Sequence, residues 1–323
     1  MHDPVLLRTT HLERSVMAVP PLARDAAGAI DPDANRGIIR HLEAGGVSLL
    51  LYGGNANLYH LPLAEYEPLL EMLAAAAGPQ TLVVPSAGPT YGLLLEHARL
   101  IRRHPFRTVM VLPQQGITTS AGVATGVRRF VEAAGMPALL YVKHDGFLEP
   151  PDVARLCGDG LVAAIKYATV RPDPAQDPYL RDLVGRVDPA TIISGIGEQP
   201  AIVHMREFGL GGFTTGCGCV APRLSQAMLA AIRRRDWDEA ERIRRLFEPL
   251  ESLRNRINPI RVLHEAVAAA GIAETGPLQP LLDPVAEADR PPIAAAARGL
   301  LAADSSARSP AATPPAGGRR STS

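Results

Sequence analysis

LVAAIKYATV (161–170) is the stretch from which the fold can be read. Its first six residues form a continuous apolar run that ends on a lysine. A strand buried on both faces reads in this way, without the alternation of a half-exposed strand. The lysine is conspicuous. Of 33 basic residues only two, Lys143 and Lys166, are lysine, and arginine serves everywhere else. An amine can give up its proton within the working pH range, whereas a guanidinium cannot.

Seven further runs share the character of 161–166. They are SVMAV (15–19), VSLLLY (47–52), TLVVPS (81–86), TVMVL (108–112), ALLYV (138–142), TIISG (191–195) and GFTTG (212–216). Helix-patterned segments lie between them, including PLAEYEPLLEMLAAAA (62–77), GLLLEHARLIRR (92–103), SAGVATGVRRFVEAAG (120–135) and PRLSQAMLAAIRRRD (222–236). Eight strands alternating with helices predict an α/β chain folded as a (β/α)8 TIM barrel. An open doubly wound sheet shares the alternation, but no G-x-G-x-x-G opens a helix after the first strand, so a dinucleotide signal is missing. Beyond the barrel the pattern is helical only: 237–256, 259–271 with proline in its first turn, and 292–303. The expected organisation is an N-terminal extension (1–14), the barrel (15–235), a C-terminal helical segment (236–303) and a disordered tail (304–323), the last being rich in Ser, Pro, Ala and Gly.

Composition narrows the function. The formal net charge is zero and no long basic run exists, which argues against nucleic acid or an anionic membrane as partner. No apolar stretch reaches the roughly 18 residues of a membrane span, and the N-terminus lacks a secretion-signal pattern. The three cysteines, Cys157, Cys217 and Cys219, make neither a disulfide framework nor a standard zinc pattern. A cytoplasmic protein without a metal or cofactor is the expectation.

In a (β/α)8 barrel, chemistry sits at the C-terminal ends of the strands. Those ends carry GGNANLYH (53–60), PQQGITTS (113–120), YVKHD (141–145), Lys166, GIGEQP (195–200) and TTGCGC (214–219). A strand-end lysine ordinarily snorkels to solvent. If buried, it loses its proton more easily, and the neutral amine attacks a ketone to form a Schiff base. Tyr141, on the neighbouring strand, is the candidate proton relay. Lys143 shares its strand face and is a carboxylate-binding cation, a rival amine or a solvated charge. The small residues of GGNAN can cradle a carboxylate on backbone N–H groups. His144, Asp145 and Glu198 are the available donors for a metal-assisted alternative.

These pieces resemble the dihydrodipicolinate synthase / N-acetylneuraminate lyase family over roughly residues 15–290. VPPL (19–22) is similar to the family's opening segment, GGNAN to its loop after strand two, LLYVKHDG to its tyrosine strand, AAIKYA to its lysine strand, and ISGIGEQP to its strand-seven loop. The resemblance implies a Schiff-base lyase with Lys166 and Tyr141 as catalytic residues. It implies Gly54, Asn55, Asn57, Lys143, Gly195 and Glu198 as substrate-binding residues, a small 2-oxo acid substrate and a homo-oligomer, tetramer or dimer. The chain departs from the synthases at four points. Gly54 and Asn55 stand for two threonines, Asn57 for a glutamate, PQQGIT for an aromatic lent by a neighbouring subunit, and Gly146 for an arginine. The loop is closer to the G-G-T-G-E of keto-deoxy-sugar-acid dehydratases. Three activities are therefore carried forward: a pyruvate-type aldolase or keto-deoxy-sugar-acid dehydratase, a synthase-like condensation of pyruvate with an aldehyde, and a catalytically degenerate barrel that binds keto acids.

Overall fold

A computed structural model describes residues 5–307. Its centre is a ring of parallel strands: β1 (Met17–Ala18), β2 (Leu49–Leu51), β3 (Leu82–Val84), β4 (Ser86–Ala87), β5 (Val109–Val111), β6 (Ala138–Val142), β7 (Val162–Tyr167), β8 (Ile192–Ser194) and β9 (Gly212–Thr215). The order around the sheet is β3-β2-β1-β9-β8-β7-β6-β5-β4. Each strand coincides with one of the eight sequence runs, except that TLVVPS supplies two. Pro85 has no N–H and interrupts the ladder between β3 and β4. The ring still closes through this segment: Tyr52 N–H donates to the Val84 carbonyl (3.0 Å) on one side, and Met110 N–H to the Pro85 carbonyl (2.8 Å) on the other. Nine short strands thus occupy eight positions of a (β/α)8 barrel.

Helices α1 (Thr9–Arg14), α2 (Pro32–Ala44), α3 (Leu63–Ala76), α4 (Tyr91–Ile101), α5 (Ser120–Ala134), α6 (Pro150–Gly158), α7 (Pro178–Val184), α8 (Ala201–Glu207) and α9 (Pro222–Arg233) accompany the barrel. Helices α10 (Trp237–Arg256), α11 (Pro259–Ala269) and α12 (Arg290–Ser306) follow it. The N-terminal residues are tied to the N-terminal end of the barrel. Leu7 N–H donates to Thr108 Oγ1 (3.2 Å), and Leu12 is buried against Gly212. Helix α12 runs three residues past the expected boundary at 303, because Asp304 is fully buried and accepts from Leu224 N–H (2.8 Å). The rest of the expected tail, 308–323, lies outside the described residues.

Two features of the C-terminal helices position the site. Asn258 caps α11, accepting from Ile260 and Arg261 N–H (3.0 and 3.1 Å), and Pro259 fills the first turn. The turn between α10 and α11 is thereby fixed over the barrel mouth. The buried stripe of α10, Ile243, Phe247, Leu250, Glu251 and Arg254, then carries two charged residues inward. Among the described residues no helix is long and apolar enough to cross a membrane.

The apolar packing between the strand ring and its helices makes a direct stability prediction. Leu50, at the centre of β2 and fully buried, should cost about 2–5 kcal/mol on truncation in Leu50→Ala. Urea unfolding should show a correspondingly lower midpoint, and a loss under about 1 kcal/mol would contradict its burial.

Candidate active site

Strands β6 and β7 pair in parallel, with Tyr141 opposite Lys166. Neighbouring strands lie about 4.8 Å apart, so the two side chains stand side by side on one face. The Lys166 Nζ lies 4.0 Å from the centre of the Tyr141 ring. Both residues are buried, at 5% and 7% exposure. Gly195, at the end of the adjacent β8, makes this possible. A Cβ there would come within 2.8 Å of Lys166 Cγ and of the Tyr167 carbonyl oxygen, so only glycine leaves room for the lysine stem.

Burial lowers the Lys166 amine from 10.5 to about 7, and the nearby charges of Lys143 and Arg254 push in the same direction. At about 1.36 kcal/mol per tenfold change this is roughly 5 kcal/mol against the ammonium. The Tyr141 ring face works the other way, and such contacts contribute about 0.5–2 kcal/mol. Desolvation therefore wins, and near neutral pH a large share of Lys166 is free amine. Burial also pushes the Tyr141 phenol up to about 12, so it is held protonated and able to donate.

The pair opens into a cavity of about 200 Å3. Of the residues expected to bind substrate, Gly54, Asn55, Lys143 and Gly195 line it. Lys143 is solvent-exposed at the rim, with its amine 5.5 Å from the centre of the Tyr59 ring. Partial burial lowers its pKa. The GGNAN loop is bolted from two sides. Asn55 Nδ2 donates to the Val19 carbonyl (3.0 Å), and His264 Nε2, from α11, lies 3.1 Å from the Asn55 carbonyl. Burial lowers His264 to about 4, so it is neutral and its Nε2–H is the donor. The side chain of Asn55 is thus engaged with the scaffold, which leaves the backbone as the loop's polar face toward the cavity.

Two expected residues are elsewhere. Glu198 is completely buried behind the cavity wall. It accepts from Ser225 Oγ (2.6 Å) and Thr215 Oγ1, and its N–H donates to Glu251 Oε1 (3.0 Å). It does not line the cavity, because its neighbours on β9 and α9 draw it outward. Asn57 is buried, sits in the left-handed region (φ 56°), and both polar side-chain atoms are without a partner among the described residues. It shapes the turn rather than facing the cavity.

Among the lining residues that the sequence reading did not single out, Tyr59 and Arg254 carry polar groups of chemical interest. Tyr59 follows the GGNAN loop, and its hydroxyl is buried and unpartnered. Arg254 enters from α10 and is 7% exposed. A helical signal for Arg254 existed: 243, 247, 250 and 254 follow the spacing of the buried stripe. Metal chemistry finds no support in the donor set. Among the described residues no group of three or more His, Cys, Asp or Glu is placed to hold a metal. Asp145 is engaged by Arg171 (2.8 and 2.7 Å). Cys217 and Cys219 are buried, and burial pushes both thiols up. A larger cavity of about 610 Å3, between α4 and α5, shares no residue with this one. It holds no lysine and no carboxylate, so the chemistry belongs to the smaller one.

A (β/α)8 barrel with a buried lysine–tyrosine pair at its C-terminal mouth has close counterparts in shape. The structure is similar to dihydrodipicolinate synthase from Bacillus clausii, with a TM-score of 0.79 and 23% identity over 89% of this chain and 97% of that one. It is also similar to a sialic acid aldolase from Ruminococcus gnavus, solved as its catalytic lysine mutant (TM-score 0.81, 15% identity, 93% and 99% covered). A third is an Escherichia coli K12 prophage protein of the dihydrodipicolinic acid synthase family, solved in complex with pyruvate (0.78, 17%, 88% and 98%). At these identities the likeness establishes a shared fold, including the trailing helices. No protein-family model and no curated protein sequence matches the chain.

The buried amine has a measurable cost. The unfolded chain keeps the Lys166 proton up to 10.5, while the folded chain releases it near 7. Between these values the unfolded state binds more protons, so the Lys166 contribution to stability rises with pH. Lys166→Met should therefore gain most over the parent below pH 7, with the gain shrinking toward pH 10 in chemical denaturation. A difference constant across that window would refute the buried-amine assignment.

Proposed function

We propose that this protein is a class I lyase acting on 2-oxo acids. The observation that carries the reading is the Lys166 amine, buried, with its pKa lowered to about 7, and 4.0 Å from the Tyr141 ring centre, at the floor of an accessible cavity. The structural neighbours support it by what their names say: synthases, an aldolase with a catalytic lysine, and a relative solved with pyruvate.

In the proposed reaction, Lys166 Nζ attacks the C2 carbonyl of the 2-oxo acid. A C–N bond forms, the carbonyl oxygen leaves as water, and the nitrogen keeps one proton as an iminium. The iminium withdraws electrons from the neighbouring bond. Loss of a C3 proton gives an enamine, which adds to an aldehyde, and the reverse sequence cleaves an aldol. Where C3 is deprotonated and C4 bears a hydroxyl, the same electron flow expels water. Tyr141 supplies and removes protons at these steps. The backbone of Gly54 and Asn55 and the Lys143 amine hold the C1 carboxylate.

Pyruvate-type aldolase or keto-deoxy-sugar-acid dehydratase is the favoured pair of activities. A synthase-like condensation is less favoured, because Gly146, in the left-handed region (φ 78°), offers no side chain where the synthases place an arginine. The reading includes a cytoplasmic homo-oligomer, and light scattering on the purified chain should give a dimer or tetramer.

Borohydride trapping with pyruvate or a 2-keto-3-deoxy sugar acid, followed by peptide mass spectrometry, should place the adduct on Lys166. If both compounds bind and neither is trapped there, the barrel is a keto-acid binder and not a lyase. Tyr141→Phe should slow exchange of the pyruvate methyl protons in D2O about 100-fold or more. Exchange at the parental rate would remove Tyr141 from the proton path.

A further inference from the structure

We propose that the substrate carries a second carboxylate and that Arg254 holds it. The proposal rests on the Schiff-base reading and adds the chemistry of the substrate's distal end. The first observation is the charge of the cavity wall. Among the described residues it presents Lys143, Lys166 and Arg254, and no Asp or Glu. Lys166 must be neutral to attack, which leaves two cations in a small space. One 2-oxo carboxylate answers one of them.

The second observation is the state of Arg254. It is a buried guanidinium that forms no ion pair among the described residues. Nε donates to the Pro259 carbonyl (3.3 Å), and Nη1 approaches Cys217 Sγ (4.0 Å). Nη2 has no partner among the described residues, and Nη1 carries a second N–H besides the one toward Cys217, so the Nη1–Nη2 end of the guanidinium is left as a donor pair on a rigid fork for a ligand. A carboxylate meets such a fork in two parallel hydrogen bonds. The buried acids behind it do not cancel its charge. Neither comes within ion-pair distance of Arg254: Glu251 Oε1 accepts from the Glu198 N–H (3.0 Å), and Glu198 accepts from Ser225 and Thr215, while burial and the neighbouring Glu198 raise the Glu251 carboxyl well above its usual range.

The third observation is placement. Arg254, Asn255 and Ile260 come from the α10–α11 turn, and the guanidinium presses on Gly216 at the end of β9. A Cβ there would lie 2.5 Å from Nη1. Lys143 belongs to a different wall, beside Tyr59 and the GGNAN loop. Lys166 feels the charge of both. A ligand joined to Lys166 through C2 thus meets one cation at its C1 carboxylate and another at its far end. The cavity of about 200 Å3 has room for roughly seven waters, which suits a short diacid.

The test compares ligands of equal length on the full chain. Borohydride trapping at Lys166 is titrated with 2-oxoglutarate and 2-oxoadipate, and with 2-oxopentanoate and 2-oxohexanoate, which end in methyl. The diacids should half-saturate at concentrations at least about tenfold lower. In Arg254→Gln that ratio should fall to about one, whatever the variant's absolute reactivity, and Arg254→Lys should keep part of it. Gly216→Ala, which drives a methyl into the guanidinium, should lower the ratio with the charge still present. It serves as the second variant if Arg254→Gln does not fold. A wild-type ratio near one, with trapping intact, overturns the inference and leaves the Schiff-base reading standing. A preference that persists in Arg254→Gln overturns the role of Arg254. Trapping by none of these acids, nor by pyruvate, overturns the underlying reading and this inference with it.

Discussion

A lysine set into the rim of an apolar barrel loses water that its ammonium form needs, and the surrounding structure compounds the loss. Lys166 is 5% exposed, and two further cations face the same cavity. Among the described residues the one favourable contact for the ammonium is the Tyr141 ring, which is too weak to offset burial. The site follows from that imbalance. A neutral amine at pH 7 is a nucleophile, and a phenol held protonated next to it is a proton donor. The glycine at 195 is what allows the lysine stem to lie there at all.

The C-terminal helices are part of the site rather than an appendix to the barrel. His264 on α11 fixes the carbonyl of Asn55, and so fixes the loop that presents backbone N–H groups. The α10–α11 turn, capped by Asn258, delivers Arg254 over β9. The same helix buries Glu251 against Glu198, which keeps the acids on the far side of the wall and the cavity itself cationic. Packing of these helices thereby sets the electrostatics of a pocket built on strands.

Much of this was legible in the sequence, for reasons of periodicity. Continuous apolar runs located every strand position, and α10 was placed at 237–256, the span the structure shows. Tyr141 and Lys166 were paired because their strands are neighbours and the pleat puts strand-end residues on the mouth. The division of TLVVPS at Pro85 was not foreseen, since the proline replaces one rung while its carbonyl still accepts a bond. Glu198 was assigned to substrate because GIGEQP (195–200) follows strand seven and resembles the family's strand-seven loop. Its actual direction depends on Ser225 and Thr215, which no local pattern reveals. Arg254 was hidden among the many arginines of an amphipathic helix, where charge suggests solvent and only the buried stripe points inward. Tyr59 and Asn57 turn on the path of one loop, which spacing alone does not determine.

The scarcity of lysine makes the central claim directly observable. With lysine labelled at the side-chain carbon next to the amine, NMR of the folded protein should show two resonances, from Lys143 and Lys166, assigned by Lys143→Arg. The Lys166 signal should titrate with a midpoint at about pH 7. A Lys166 midpoint near 10.5, the value of an exposed amine, would contradict the account.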